Sequence, residues 1–356
     1  MAWTVAGQER AVSILAAAVK NGRVAHAYLF AGPARVGKSL AAVQFAQLLN
    51  CTGEDAPCGE CRSCEKIASG SHPDVELVAI GGLCKPRPTE QSHDHARDNS
   101  RDIRICQIRR VEEIISRAPF QGRYRVVMID PADAMNRDAI AALLKTLEEP
   151  PPRVVFILVT DHEDLLLDTI RSRARRVPFA GQPRDLIERV LRTRWDAEPE
   201  QAAELARLSG GRLGLAVAAL RDEKLVESRE SALDKIESLA QSGLAERFAA
   251  ASTMGSGYTR ARVGTQATLE LWQEWWRDVL LVAASRPQRV THAARLDTLR
   301  ALAAQCDVPA AVRALRAITD ARQQLVENAS PVLALEAMML ALPVLRPNAV
   351  TTRLRG

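Results

Sequence analysis

The residues best suited to chemistry lie in Gly32-Pro33-Ala34-Arg35-Val36-Gly37-Lys38-Ser39, which fits G-x-x-x-x-G-K-[ST] at every fixed position. Glycines in such a loop let main-chain N–H groups wrap phosphate oxygens. The lysine supplies charge to the β and γ phosphates of a nucleotide, and the serine hydroxyl can hold magnesium. Gly32, Gly37, Lys38 and Ser39 are therefore candidate nucleotide ligands. Asp130, at the end of Val126-Val127-Met128-Ile129, has the type and setting for a second magnesium contact. The next residue is Pro131, which can neither accept a proton nor orient water, and Asp133 is a poor substitute. Such a pocket is expected to bind nucleotide and to be badly equipped to hydrolyse it. Thr160 ends a further apolar run. Its hydroxyl either faces the γ-phosphate or caps the following turn, and the sequence leaves both open.

A second group is Cys51, Cys58, Cys61 and Cys64, in which both later steps are C-x-x-C. Four thiolates complete a tetrahedral zinc site with bonds of about 2.3 Å, and short steps chelate without burying much chain. Structural zinc is the expectation; redox pairing and unligated thiols are the alternatives. Cys84, Cys106 and Cys306 are isolated. Between Gly81 and Ser100 the sequence has neither helical nor strand periodicity, and His93 and His95 there are read as part of a solvated surface insertion. Arg171, Arg173, Arg175 and Arg176 crowd one short stretch. They form either a solvated charge run or the completion of a phosphate site across a subunit boundary.

These residues need a scaffold, and the apolar pattern supplies one. Ala27 to Ala31, Arg125 to Asp130 and Val154 to Thr160 read as buried strands of a small parallel sheet whose ligands sit beyond the strand ends. Leu40 to Leu49, rich in alanine, reads as the helix opened by the phosphate loop. The fold class is thus α/β plus all-α, with helices taking over after Pro178. Trp272, Trp275, Trp276, Val279 and Leu280 recur at helical spacing and predict a packed face rather than a base-stacking surface.

Composition agrees. A chain of 356 residues with 47% apolar residues and 4% aromatics is neither disordered, collagenous nor a disulfide scaffold. Apolar runs such as Val279 to Ala284 fall short of a membrane span, and the first residues lack the pattern of an export signal. Seven cysteines, an odd number, favour a reducing compartment, so the cytoplasm is expected. The net charge of +5 is spread along the chain and says little about nucleic acid.

The phosphate loop and the four cysteines occur together with Val5-Ala6-Gly7-Gln8-Glu9-Arg10, His26-Ala27-Tyr28-Leu29-Phe30, Leu143-Leu144-Lys145-Thr146-Leu147-Glu148-Glu149-Pro150-Pro151 and Ser172-Arg173. This set resembles a clamp-loader AAA+ subunit of the bacterial replicative DNA polymerase, DNA polymerase III. The resemblance reaches Asn328-Ala329-Ser330-Pro331 to Leu340, which is similar to the end of the family's collar domain. It implies an AAA+ P-loop domain over 1–178 with a zinc module near 51–64, a small helical lid over 179–222, and a helical collar for oligomerisation over 223–356. It also implies zinc, ATP or ADP with magnesium, assembly with motor (gamma/tau) and delta subunits, and action with the sliding clamp on primed DNA.

Within the family the alternatives are an ATP-hydrolysing gamma/tau-type motor and a stator that does not hydrolyse. Pro131 stands where the motor has its catalytic glutamate, and Leu215 where the motor has an arginine, with Arg212 three residues early. The sequence ends at 356 without the extension of tau-type motors. These departures imply the stator, with Arg173 acting in trans as an arginine finger on ATP held by the adjacent motor. Ala174 replaces the cysteine of the family's Ser-Arg-Cys and leaves the guanidinium intact. Two readings from other classes stay open: a DNA-stimulated ATPase using Lys38, Asp130 and Asp133, and a nucleic-acid-binding cysteine module. Against the second, Arg62 is the one basic residue between Cys51 and Cys64, and no aromatic lies there. Arg104, Arg109 and Arg110, on a helical segment, are further candidates for DNA contact.

Overall fold

A computed structural model of the chain describes residues 3–82, 84, 102–326 and 329–345. Most of the insertion expected at 81–100, including His93 and His95, lies outside the described residues, as does Asn328. The chain divides into two compact units, Met1–Asp196 with Gly211–Leu215, and Ala197–Gly210 with Ala216–Gly356.

The first unit runs α1 (Glu9–Lys20), β1 (Ala27–Ala31), α2 (Lys38–Asn50), α3 (Arg62–Ala68), β2 (Val75–Val78), α4 (Ile105–Ile115), β3 (Arg125–Ile129), α5 (Arg137–Glu148), β4 (Val154–Thr160), α6 (Asp168–Arg171), β5 (Arg175–Pro178) and α7 (Arg184–Trp195). The strands form one sheet in the order β2-β3-β4-β1-β5, every neighbouring pair parallel. The three strands legible in the sequence are buried throughout because helices cover both faces. Leu29, Val127, Ile129, Phe156 and Leu158 pack with Ile108, Val111, Leu143 and Leu147 on one side. Tyr28, Phe30, Val126, Met128 and Ile157 pack with Leu15, Ala42, Phe45 and Leu49 on the other. Alternate residues of one strand thus serve opposite cores, each large side chain contributing about 1.5–3 kcal/mol of burial.

The two outer strands complete the sheet. β2 is short and only Val78 of it is buried; β5 places Arg175 and Arg176 at the exposed edge, where charge discourages pairing with another chain. Half of the arginine stretch is therefore strand rather than a loop. Ahead of β2, buried Asp74 accepts the N–H groups of Phe120, Gln121 and Gly122 and a bond from Arg125. Those bonds hold its carboxyl below its usual range although burial opposes them.

The remaining helices are α8 (Pro199–Leu208), α9 (Leu213–Arg221), α10 (Glu223–Gln241), α11 (Leu244–Ala283), α12 (Leu296–Ala303), α13 (Val308–Val326) and α14 (Pro331–Ala341). Trp272, Trp275 and Trp276 are fully buried among α10, α12, α13 and α14, in keeping with the packed face read from their spacing. A Cβ at Gly255 would sit 2.6 Å from Val332 Cα, so only glycine permits this approach of α11 to α14. Arg247 of α11 is fully buried. Its guanidinium donates to Leu239 O and Ala240 O at the end of α10, and to Met339 O, Leu342 O and Pro343 O at the end of α14. Leu239 O and Ala240 O also accept the Ser242 and Leu345 N–H groups, whereas Met339 O in the last turn of α14, and Leu342 O and Pro343 O just after it, are carbonyls that the end of the helix leaves without a helical partner.

Candidate functional site

The sheet order sets β1, β3 and β4 so that their C-terminal ends bring together the phosphate loop, Asp130 and Thr160-Asp161. Gly37, at φ 101°, turns the loop into α2, which starts at Lys38, two residues before the expected Leu40. At Gly32 a Cβ would lie 2.2 Å from Phe179 O, so the loop can pass β5 only without a side chain there. Phosphate at this point would meet the N-terminus of a 13-residue helix, where unpaired N–H groups and the helix dipole favour anions.

Lys38 is buried and its ammonium donates to Gly32 O at 2.7 Å, Pro33 O at 2.5 Å and Asp161 Oδ1 at 2.6 Å. Ser39 Oγ donates to Asp130 Oδ2 at 2.5 Å, so the two residues expected to share magnesium are adjacent. Burial pushes the Asp130 carboxyl up and the Ser39 bond opposes the shift. Thr160 Oγ1 donates to Asp133 Oδ1 at 2.6 Å and accepts the His162 N–H at 3.0 Å, which is the turn-capping arrangement. Burial likewise raises the Asp133 carboxyl.

Several residues of this pocket escaped the sequence reading. Asp161, next to Thr160, is one. Gln8 is another: its Nε2 donates to Val36 O at 3.2 Å and Ala180 O at 2.7 Å. Gln182 Nε2 also donates, to Val36 O at 2.9 Å and Ala6 O at 3.1 Å. Two buried amides thus clasp the loop backbone. A glutamine within an otherwise apolar or glycine-containing stretch was the only available signal. At the start of α9, Gly214 N–H donates to Arg35 O at 2.9 Å, one residue before Leu215.

Arg173 follows α6 and is about a third exposed; it donates to Glu148 Oε1 at 2.8 Å and Thr169 O at 3.0 Å. Arg171 pairs with Asp168, and Arg176 Nε bonds both oxygens of Glu163. Arg171, Arg173 and Arg176 are therefore distributed among separate carboxylates rather than pooled. Of the three arginines considered for DNA, Arg109 is exposed, Arg104 caps α4, and Arg110 pairs with Glu76 at 2.5 Å. They form no common exposed stripe.

Cys51 ends α2, and Cys61 and Cys64 open α3, with Cys58 in the turn between. All four sulfurs lie within 4.8 Å of one another. The separations are 3.5 Å for Cys51–Cys58, 4.0 Å for Cys51–Cys61 and 4.0 Å for Cys58–Cys64. A tetrahedron with 2.3 Å bonds has edges of about 3.8 Å, whereas a disulfide needs about 2.05 Å. The set therefore fits one metal ion and not a pair of disulfides. N–H groups of Gly53, Cys61 and Cys64 point at sulfurs 3.3–3.4 Å away, as thiolates require. Burial pushes the Cys64 thiol up; at Cys61 burial is outweighed by bonds from Thr52 and Cys64, and the thiol falls to about 5. The remaining described cysteines, Cys84, Cys106 and Cys306, are not part of the cluster. The far end of α2 is also pinned to β3: Asn50 exchanges bonds with both main-chain groups of Tyr124, and Arg123 donates to Leu49 O and Cys51 O.

Comparison with characterised proteins bears on this arrangement. The family model described as DNA polymerase III, delta subunit matches residues 7–183. DNA polymerase III subunit delta' of Bacillus subtilis is 28% identical over 338 residues, 94% of this chain and 96% of that protein. Subunit delta' of Pseudomonas aeruginosa is 33% identical over 225 residues, 62% of this chain and 63% of that protein. Subunit tau of Bacillus subtilis is 35% identical over 202 residues, 56% of this chain but only 32% of that longer protein. The similarity thus runs nearly end to end with one delta' subunit and is confined to a shared portion of the tau subunit, and the chain belongs to the clamp-loader family of DNA polymerase III subunits.

Proposed function

We propose that the chain is the stator of a bacterial clamp loader, the delta' role, binding nucleotide without hydrolysing it. The observation that carries this reading is the pairing of an intact phosphate loop, with Ser39 and Asp130 in hydrogen-bond contact, and a proline directly after Asp130. The pocket holds the groups for binding and lacks, at that position, one that activates water. Arg173 then acts in trans on the nucleotide of a neighbouring motor. The near-complete match to a delta' subunit supports the same reading.

The proposal carries a three-part division, 1–178 for nucleotide, 179–222 as lid and 223–356 as collar. It includes gamma/tau and delta subunits as partners, with the sliding clamp and primed DNA as what the assembly handles. In support of oligomerisation, the outer face of α14 leaves Leu333, Ala337 and Leu340 exposed, followed by Val344. The cytoplasm is the proposed location; among the described residues no helix is long and apolar enough to cross a membrane.

A motor role is the second reading, favoured by one observation, the Asp133 carboxylate beside Thr160. Single-turnover kinetics separate the two. Given labelled ATP, magnesium and primed DNA, the isolated chain is expected to bind ATP through Lys38 and leave it uncleaved. Cleavage abolished by Lys38→Ala would make the chain a motor.

The cysteine module is assigned structural zinc. Purified protein is expected to carry one zinc per chain by atomic absorption, and Cys58→Ser to carry essentially none. Hydrogen exchange should then accelerate across 51–68 while the sheet stays protected. Full protection in the metal-free variant would remove the structural role.

A further inference from the structure

An ammonium group has three protons and no more. At Lys38 all three are taken inside the chain, by Gly32 O, Pro33 O and Asp161 Oδ1. A phosphate oxygen that bonds Lys38 must therefore take the place of one of these acceptors. The two carbonyls belong to the loop itself, whose path is fixed by the approach of Gly32 to Phe179 and by the glutamine clasp on Val36. Asp161 is different. It is a side chain, it carries a full charge, and it remains 41% exposed while the lysine side chain is 3% exposed. Its carboxylate can turn out to water without leaving a buried charge behind, whereas moving either carbonyl would distort the loop.

The backbone that presents Asp161 is itself held. Thr160 binds Asp133 on one side and the His162 N–H on the other, so the turn after β4 keeps Asp161 at the phosphate loop. Burial raises the Asp130 and Asp133 carboxyls, and repulsion from the nearby Asp161 carboxylate adds a smaller push in the same direction to both. Of these acidic groups Asp161 alone is bonded to Lys38, with Asp130 also within reach of its charge, and an incoming polyphosphate must compete with the one that is bonded to it.

We propose that Asp161 is an internal anion that occupies the phosphate's place on Lys38 and thereby sets the affinity of the pocket for polyphosphates. The proposal rests on reading the loop as a nucleotide site and adds a competitor within it. Removing the charge should strengthen binding of any ligand that reaches Lys38 through a phosphate, with or without a base attached. An effect on the base pocket or on general folding would not have that signature.

The test is isothermal titration of the full chain with magnesium–ATP and, separately, with magnesium–pyrophosphate, in wild type, Asp161→Asn, Asp161→Ser and Lys38→Ala. Both Asp161 variants are expected to bind both ligands at least about tenfold more tightly. Lys38-dependent binding by the wild type that is unchanged or weaker in the Asp161 variants would overturn the internal competitor and leave the nucleotide site standing. Tightening for ATP without pyrophosphate would also overturn it. Loss of Lys38-dependent binding in every protein would remove the nucleotide site, and the competitor with it.

Discussion

Replacing Arg173 with alanine is expected to lower ATP turnover by the assembled loader by about 10³–10⁵, the range for loss of an arginine finger, while leaving assembly intact. The geometry suits a residue that must change partners. Its bonds are to Glu148, itself about half exposed, and to the Thr169 carbonyl. Ion pairs of this exposure contribute roughly 0–1 kcal/mol, so the guanidinium can exchange Glu148 for a phosphate at little cost. Its planar fork also explains why Arg173→Lys should not restore turnover: an ammonium cannot contact two oxygens in one plane. The measurement is steady-state ATPase of loader reconstituted with gamma/tau, with assembly checked by gel filtration. Unchanged turnover in a fully assembled Arg173→Ala loader would remove the finger assignment.

The second large effect concerns stability. Arg247 has five N–H donors, and each meets a different main-chain carbonyl at the ends of α10 and α14. Burial pulls down its pKa, but the five bonds make the charged form self-consistent. Arg247→Met fills most of the volume but strands the carbonyls of Met339, Leu342 and Pro343, while Leu239 O keeps the Ser242 N–H and Ala240 O keeps the Leu345 N–H. Each bond to a charged group contributes about 1.5–3 kcal/mol; with incomplete additivity the loss should be at least about 4–5 kcal/mol. A domain of this size should then melt lower by about 10 °C or more. Lysine has three donors and should recover only part. Calorimetry on the full chain decides: a second unit that melts within a degree or two of the wild type would show that these carbonyls find other partners.

How much of this was legible beforehand depended on where each residue's role is written. The phosphate loop announces itself because its fixed positions are contiguous, and β1, β3 and β4 because strands buried on both faces read as unbroken apolar runs. β2 and β5 carry no such run. They lie at sheet edges, where Glu76, Arg175 and Arg176 are tolerated, and only register with a neighbour identifies them. Cys51, Cys58, Cys61 and Cys64 are close in sequence, so spacing alone predicted their convergence. Asp161, Gln8 and Gln182 act across separations of more than a hundred residues, and beyond the glycine next to each glutamine nothing local distinguishes them from surface residues. Arg247 misleads outright: an arginine in a helix next to glutamate reads as solvated, yet it is among the least exposed residues in the chain.

One helix, α2, is held at both extremities. Its first residues follow directly on the phosphate loop; its last, Leu49 and Asn50, are bonded to Arg123 and Tyr124 and run straight into the cysteine module. Thirteen residues make a rod of about 20 Å. A rod clamped at its distal end resists sliding or swinging when an anion arrives at its proximal end, so a metal held by the four cysteines would serve the phosphate loop as an anvil. Whatever displacement nucleotide causes must be taken up by the loop and by what rests on it, the turn at Arg35 and the glycine of α9 that bonds to it.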